Sequence, residues 1–323
     1  MSGRTEILVI KLSALGDMIL AFPAFARIRA AHPDARITLL TTPPFAALAR
    51  SSPFFDAVDP GGRPRRLGQL FALVRRLRRA KFARVYDLQG VDRTNLYLQL
   101  LRPFPPAWSG VAVGCALPHR NPQRMRMHTL ERQAEQLNHA GLAPVEPVAP
   151  GAAPAPDVSW LAAQAAPADR PGRPLAILVP GASPRRPRKI WPAENFAALA
   201  RSLLGEGFAV SVVGGPAETA VGEAIAAGAP GARDLTGRTS LAELARLGEV
   251  ATVAVGNDTG PMHLLAASGA PAVSLFSDDS DPDLCAPRGR VRVIRSANLA
   301  ELDVGPVLAA AVEAAALCGG PTT

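Results

Sequence analysis

Short runs rich in Val, Ile and Leu alternate along the 323-residue chain with longer segments whose apolar positions recur at helical spacing. That alternation predicts βαβ units and a parallel sheet. In the first half, strands are expected at Glu6–Ile10, Arg36–Thr41, Arg84–Leu88 and Ser109–Val113, with helices near Ile19–Ala31, Leu67–Ala80, Thr94–Leu101 and Thr129–Ala140. The strands are nearly all apolar rather than alternating, as expected of a sheet covered by helices on both faces. From Ala143 to Pro174 the rhythm stops in a stretch crowded with Pro and Ala, which reads as an interdomain linker with one short helix near Trp160. The rhythm then restarts, with strands at Leu175–Val179, Phe208–Val213, Ala251–Val255, Pro271–Phe276 and Val291–Ile294. Helices fall near Ala193–Leu204, Glu218–Ala227, Leu241–Leu247 and Met262–Ser268, and a last apolar helix covers about Val304–Leu317. The repetition is of architecture: two doubly wound α/β halves, expected to face each other across a central cleft. A chain of this length exceeds what one hydrophobic core serves, which also argues for two domains.

Composition is ordinary for a globular protein, at 48% hydrophobic and 19% charged. The charge balance adds something. A formal net charge of +8 favours an acidic partner, whether nucleic acid, anionic lipid headgroup or phosphorylated substrate. Arg63, Arg65, Arg66, Arg75, Arg76, Arg78, Arg79, Lys81 and Arg84 concentrate that charge in one stretch, where the plain alternative is a solvated helix face. Nucleic acid is not expected, because the segment around Arg65–Arg79 lacks the interleaved aromatic residues that stack bases. The start MSGRTEILVI enters a strand directly, without the features of a signal peptide, and no run of about 18 apolar residues predicts a membrane span. A cytoplasmic location is therefore expected. Cys115, Cys285 and Cys318 are odd in number and far apart, which fits neither a disulfide framework nor a zinc spacing.

Ligands of doubly wound domains sit at the carboxyl ends of the strands, so chemistry is sought in the loops that follow them. The first strand runs into Lys11-Leu12-Ser13-Ala14-Leu15-Gly16-Asp17, which is not the G-x-G-x-x-G of dinucleotide sites. Asp17, just before a helix, is either a cap or a carboxylate able to take a proton from a hydroxyl. The first strand of the second half is followed by Pro180-Gly181-Ala182-Ser183 and a cationic run ending at Lys189. Small residues there let backbone N–H groups approach an oxyanion, and the cations would neutralise a diphosphate. Gly256-Asn257-Asp258-Thr259-Gly260-Pro261-Met262-His263 is the most specific signal. Its glycines permit a tight turn, Thr259 can cap and Pro261 suits the first helical position, which builds a helix N-terminus fit for a phosphate. Asp258 would repel a diphosphate and is better placed to accept hydroxyl protons from a sugar. His263 could contact a phosphate or base. The acidic segment 277–283 does not match a metal-ligand pattern and is read as solvated.

The segments ILVIKLSALGDMILAFPAF, VYDLQGVDRTNL, PGASPRRPRKIWPAENFAALA and GNDTGPMHLLAASGAPAVSLF, in this order, resemble glycosyltransferase family 9, the ADP-heptose:lipopolysaccharide heptosyltransferases. The resemblance implies a GT-B fold of two Rossmann-like domains. Residues 1–150 would form an acceptor-binding domain, 151–174 a linker and 175–302 a nucleotide-sugar-binding domain, with the helix in 303–323 packing back on the first. It implies an inverting, metal-independent sugar transfer without a cofactor, from ADP-heptose to a Kdo-bearing lipid A core. Asp17 matches the general base and Lys189 the lysine at the donor phosphate. Ser183, Glu218, Thr239, Asp258, Thr259, Gly260 and His263 match donor-side positions, with Glu218 at the ribose and Thr239 near the base. Ser13, Gly16 and Arg93 fall on the acceptor side, Arg93 standing where the family often has lysine. One departure is Leu275-Phe276-Ser277-Asp278-Asp279-Ser280-Asp281-Pro282, longer and more acidic than the family's usual turn.

The implied partners are thus a nucleotide-sugar donor and an anionic, lipid-linked saccharide. The implied site of action is the cytoplasmic face of the inner membrane, with salt-reversible contact through Arg65, Arg66, Arg75, Arg76, Arg78 and Arg79. The alternative is a non-catalytic module of the same fold that binds a nucleotide or a phosphorylated polymer without turnover.

Overall fold

A computed structural model describes residues 4–142, 149–183 and 185–316. The chain divides into two compact units, one up to Pro154 and one from Ala155. In the first, β1 (Glu6–Ile10), β2 (Arg36–Leu40), β3 (Ala57–Asp59), β4 (Arg84–Asp87), β5 (Ala107–Gly110) and β6 (Leu117–Pro118) form one parallel sheet in the order β3-β2-β1-β4-β5-β6. In the second, β7 (Leu175–Val179), β8 (Ala209–Val212), β9 (Arg233–Asp234), β10 (Val253–Asn257), β11 (Ala272–Phe276) and β12 (Val291–Arg295) form another, ordered β12-β11-β10-β7-β8-β9. Within each unit the first strand is central, flanked by the second on one side and the fourth on the other. This is the doubly wound order, and it reverses direction between β1 and β4 and between β7 and β10.

The apolar runs explain the layering. Ile7, Leu8, Val9 and Ile10 of β1 are all essentially buried, as is every residue of β7, β10 and β11, because helices cover both faces of each sheet. Each unit has its own core: Leu8, Leu73, Leu77, Val85 and Trp108 belong to that of the first, and Leu178, Phe196, Val255, Leu275 and Val307 to that of the second.

Several expectations shift. The helix expected from Ile19 is two helices, Leu15–Ile19 and Phe22–Ala31, the second with Pro23 in its first turn. Pro43–Arg50 is an additional helix. The strand expected at Ser109–Val113 lies at Ala107–Gly110. Much of the stretch read as linker belongs to the second unit, where the short helix Ser159–Ala162 packs on the helix Leu241–Val250. The last helix, expected back on the first domain, lies over Val304–Ala316 against the sheet of its own unit and the helix Ala193–Gly205, with Val307, Ala310, Ala311 and Ala315 in that unit's core. Those residues recur at spacings of three and four, the stripe a helix turns toward a sheet. Cys115 and Cys285 are free thiols, and Cys318 lies outside the described residues. Among the described residues no helix is long and apolar enough to cross a membrane.

Candidate functional site

At the β1/β4 reversal the loops after the two strands interlock. Gln89 Oε1 accepts from the backbone N–H of Leu12 at 2.8 Å and of Ser13 at 3.4 Å. Lys11, 3% exposed, donates to the Leu88 carbonyl at 3.4 Å and lies 4.0 Å from Asp17 Oδ1. Asp17 Oδ2 accepts from Ala14 N–H at 3.0 Å, so the carboxylate closes the first turn of the helix Leu15–Ile19 while 43% of its side-chain surface stays open. The capping and functional roles are therefore compatible, because each uses a different part of the side chain. Gly16 stands in the same turn, its carbonyl accepting from Leu20 N–H at 2.9 Å. Arg63 donates to Ser13 Oγ at 2.9 Å, and Arg93 to the Pro64 carbonyl at 3.2 Å, which brings Ser13, Arg63 and Arg93 to one side of this loop. Next to it, at the carboxyl ends of β2 and β3, opens a cavity of about 640 Å³ lined by Thr42, Pro43, Gly61, Arg63, Arg65 and Arg76.

Two buried charges underlie this loop. Burial pulls the Lys11 ammonium below the usual lysine range, against the pull of Asp17. Burial also pushes the Asp87 carboxyl up to about 6, although N–H groups of Gly90 and Gln89 and the Thr94 side chain favour its ionised form. Asp87 Oδ2 is buried with no hydrogen-bond partner among the described residues.

At the β7/β10 reversal a second cluster forms. Lys189 ends the single 3-10 turn Pro187–Lys189, and its Nζ lies 2.5 Å from Asp258 Oδ2. The same oxygen accepts from Ser280 Oγ at 2.7 Å, and His263 Nε2 lies 3.8 Å from Oδ1. Burial raises the Asp258 pKa, but His263, Lys189 and Ser280 outweigh it and hold the carboxyl down to about 2. In this state Asp258 is engaged by three protein side chains, and Lys189 is already paired.

Asn257, fully buried, ties the cluster to the backbone: its Oδ1 accepts from Trp191 N–H at 3.2 Å and its Nδ2 donates to the Pro180 carbonyl at 2.8 Å. Trp191 is in turn fixed through Nε1 on the Leu302 carbonyl at 2.8 Å, which anchors the turn that carries Lys189. Gly256 is a necessity, since a Cβ there would stand 2.5 Å from Val179 Cβ and 2.6 Å from its carbonyl oxygen.

Around this centre, Thr259 occupies the N-cap position of the helix Gly260–Ala267 with Pro261 in its first turn, but the expected side-chain cap is not made: among the described residues Thr259 Oγ1 is buried without a hydrogen-bond partner, as is His263 Nδ1. Ser183 is exposed, its carbonyl accepting from Arg186 N–H at 2.9 Å. Glu218 Oε2 accepts from Gly215 N–H at 2.7 Å, and a Cβ on Gly181 would lie 3.2 Å from Glu218 Cγ, so this acid adjoins the β7 loop. Thr239, half-buried, follows Gly237, whose N–H donates to the Gly214 carbonyl at 2.9 Å, placing it in the next loop along. Within segment 277–283, Asp281 caps the short helix Pro282–Cys285 and Ser280 reaches Asp258, so the divergent turn is part of the cluster. Among the described residues no group of three His, Cys, Asp or Glu is placed to hold a metal ion.

Sequence reasoning passed over Lys11, Asp87, Asn257 and Ser280. A polar residue where the apolar core of a strand ends was the available signal for the first three. Nothing in the sequence pointed to Ser280.

Known proteins resemble this chain in sequence and in fold. Residues 70–303 match the family model described as glycosyltransferase family 9 (heptosyltransferase). Lipopolysaccharide heptosyltransferase 2 of Escherichia coli K12 is 27% identical over 321 residues, covering 90% of this chain and 88% of the relative. Lipooligosaccharide heptosyltransferase 2 of Haemophilus influenzae is 35% identical, but over 113 residues, 33% of this chain and 32% of that protein. Among solved structures, E. coli ADP-heptose lps heptosyltransferase II superposes with a TM-score of 0.75 at 23% identity, covering 98% of this chain and all of that one, and shares its fold.

Proposed function

Because the chain belongs to glycosyltransferase family 9, and is thereby a glycosyltransferase rather than a non-catalytic binding module, we propose that it transfers heptose from ADP-heptose to the inner core of lipopolysaccharide with inversion at the anomeric carbon. The observation that carries this reading is Lys189, a cation held almost out of solvent at the topological switch point of the second unit, beside the N-terminus of Gly260–Ala267. Both are aimed at the kind of charge a departing diphosphate develops. In the reaction, the acceptor hydroxyl gives its proton to the Asp17 carboxylate. Its oxygen bonds to the anomeric carbon, and the bond from that carbon to the diphosphate breaks on the opposite face.

Asp258 keeps Lys189 in place until a donor phosphate competes for the ammonium, and His263 Nδ1 and Thr259 Oγ1, without partners among the described residues, stand beside it. Ser183, Glu218 and Thr239 line the loops that would take the rest of the nucleotide. Ser13, Gly16, Arg93 and the arginine-lined cavity beside them would receive an acceptor carrying phosphates and carboxylates. Lysine and helix N-terminus together supply the positive charge that other transferases draw from a divalent ion, so the reaction proceeds without metal or cofactor. A lipid-linked acceptor places the enzyme at the cytoplasmic face of the inner membrane.

The test is release of ADP from ADP-heptose in the presence of a Kdo-bearing lipid A core, with and without EDTA. Acceptor-dependent ADP release that persists in EDTA is expected. Release with a different nucleotide sugar alone would replace the donor, and loss of activity in EDTA would overturn the metal-free step.

A further inference from the structure

The helix Leu67–Ala80 buries Leu73, Val74 and Leu77 and leaves a different face uncovered. On that face Leu67 is 73% and Phe71 70% exposed. At 3.6 residues per turn, positions 67, 71, 75, 78 and 79 fall within an arc of about 120°, so the two apolar side chains share a surface with Arg75, Arg78 and Arg79. Between Asp59 and Asp87 the chain has nine Lys and Arg residues and no carboxylate.

Those cations are not equally free. Arg76 forks onto Asp59 at 3.0 and 3.1 Å, Arg78 donates to the carbonyls of Leu100 and Arg102, Arg63 to Ser13 Oγ and Arg84 to Tyr86 Oη. Arg65, Arg66, Arg75 and Arg79 are exposed, and among the described residues their side chains donate no hydrogen bond and form no ion pair. Charge alone would suit any polyanion. Leu67 and Phe71 change the choice, since two large side chains one turn apart in water, ringed by unpaired guanidinium groups, are what a helix lying in a lipid interface carries.

We propose that this face docks on an anionic lipid bilayer, with Leu67 and Phe71 entering the acyl boundary and Arg65, Arg66, Arg75 and Arg79 meeting headgroup phosphates. In giving the bilayer as the place where acceptor is met, the inference rests on the lipid-linked acceptor proposed above. The helix begins next to the acceptor-side loop: Pro64 receives Arg93, and Arg63 holds Ser13, four residues from Asp17. Contact of this end with headgroups therefore brings lipid to the side of the unit where the general base stands. Attraction to the arginines fades within about 8 Å at physiological salt, whereas the apolar contact does not depend on salt. Binding has two separable parts.

The test uses the full chain with phosphatidylethanolamine/phosphatidylglycerol vesicles and with phosphatidylcholine vesicles. The fluorescence of the Phe71→Trp variant should be quenched by lipids brominated on their acyl chains, well beyond any quenching of the wild type. Leu67→Ser with Phe71→Ser should weaken co-sedimentation by about tenfold or more per side chain, and what remains should vanish in high salt. Changing Arg66, Arg75 and Arg79, which lie outside the acceptor-side cavity, to Gln should remove the preference for anionic vesicles, about fivefold per charge at low salt. ADP release with a deacylated, water-soluble acceptor should be the same in all of them, so failure of docking is distinguishable from failure of the proposed reaction. Quenching of Phe71→Trp no greater than that of the wild type, or equal sedimentation of wild type and both multiple variants, overturns the proposal. So does a dimer that Leu67→Ser/Phe71→Ser dissociates in the absence of lipid, which would make a second copy the occupant, or binding of RNA in preference to vesicles.

Discussion

Asp17 and Lys189 differ in how firmly the protein already holds them. Asp17 keeps one oxygen on the Ala14 N–H and nearly half its side chain in solvent, ready for a hydroxyl. Asp17→Asn preserves that bond through its carboxamide oxygen, so folding and donor affinity should be retained while turnover falls by about 10²–10⁴-fold, the usual contribution of a general base. A kcat within threefold of wild type would leave Asp17 as a helix cap. Lys189 is almost fully enclosed and paired, so Lys189→Ala also strands the Asp258 carboxylate in a buried position. Turnover should fall more than donor binding, because the charge facing the ammonium grows as the bond to the diphosphate breaks. A rise only in the KM for donor would make Lys189 a residue of uniform binding.

The strands place these groups, and the placement depends on small details of packing. Gly256 in β10 lies against Val179 of β7 so closely that a methyl group would meet Val179 Cβ and carbonyl oxygen and come within 2.9 Å of Met262 Sδ. Gly256→Ala should destabilise the second unit by roughly 1–3 kcal/mol, the usual cost of overpacking. Because Asn257 and Asp258 follow directly, donor affinity should drop even where the variant remains folded, and unchanged thermal stability would refute the contact.

The long central strands and Leu67–Ala80 were legible because an apolar run or a helical period extends over enough residues to declare itself. β3, β6 and β9, of two or three residues, have no period to show and exist because a neighbouring strand offers them an edge. The site loops were legible as polar and glycine punctuation after apolar runs. The pairing of Lys189 with Asp258 was not, since one sequence holds no sign of which residues 69 positions apart will meet. Leu67 and Phe71 read as ordinary apolar positions of an amphipathic helix, and only burial separates them from Leu73 and Leu77.

At the scale of the whole chain, two buried carboxylates, one in each unit, respond to acid in opposite ways. Asp258, held down to about 2, binds its proton less tightly in the native state than in the unfolded chain, where 3.8 is usual. The stability it adds is complete above about pH 4 and is lost as pH falls toward 2. Asp87, pushed up to about 6, binds its proton more tightly when folded. Its contribution is complete below about pH 4 and is lost as pH rises through 6, on the order of 3 kcal/mol in all. Relative to Asp87→Asn, the wild type should therefore lose stability in thermal melts between pH 4 and 7. Relative to Asp258→Asn, it should lose stability only on acidification below pH 4. Parallel profiles for either pair would contradict the assignment. The interlocked loops also bear on how the molecule assembles. Lys11 meets Leu88 across 77 residues and Lys189 meets Asp258 across 69, each through a parallel pairing whose long crossover must close before any contact rewards it. Neither binding loop can precede its central strand pair, so ligand capacity cannot arise before those strands have paired, and a nucleotide present from the start should leave any kinetic phase that precedes the pairing at its own pace.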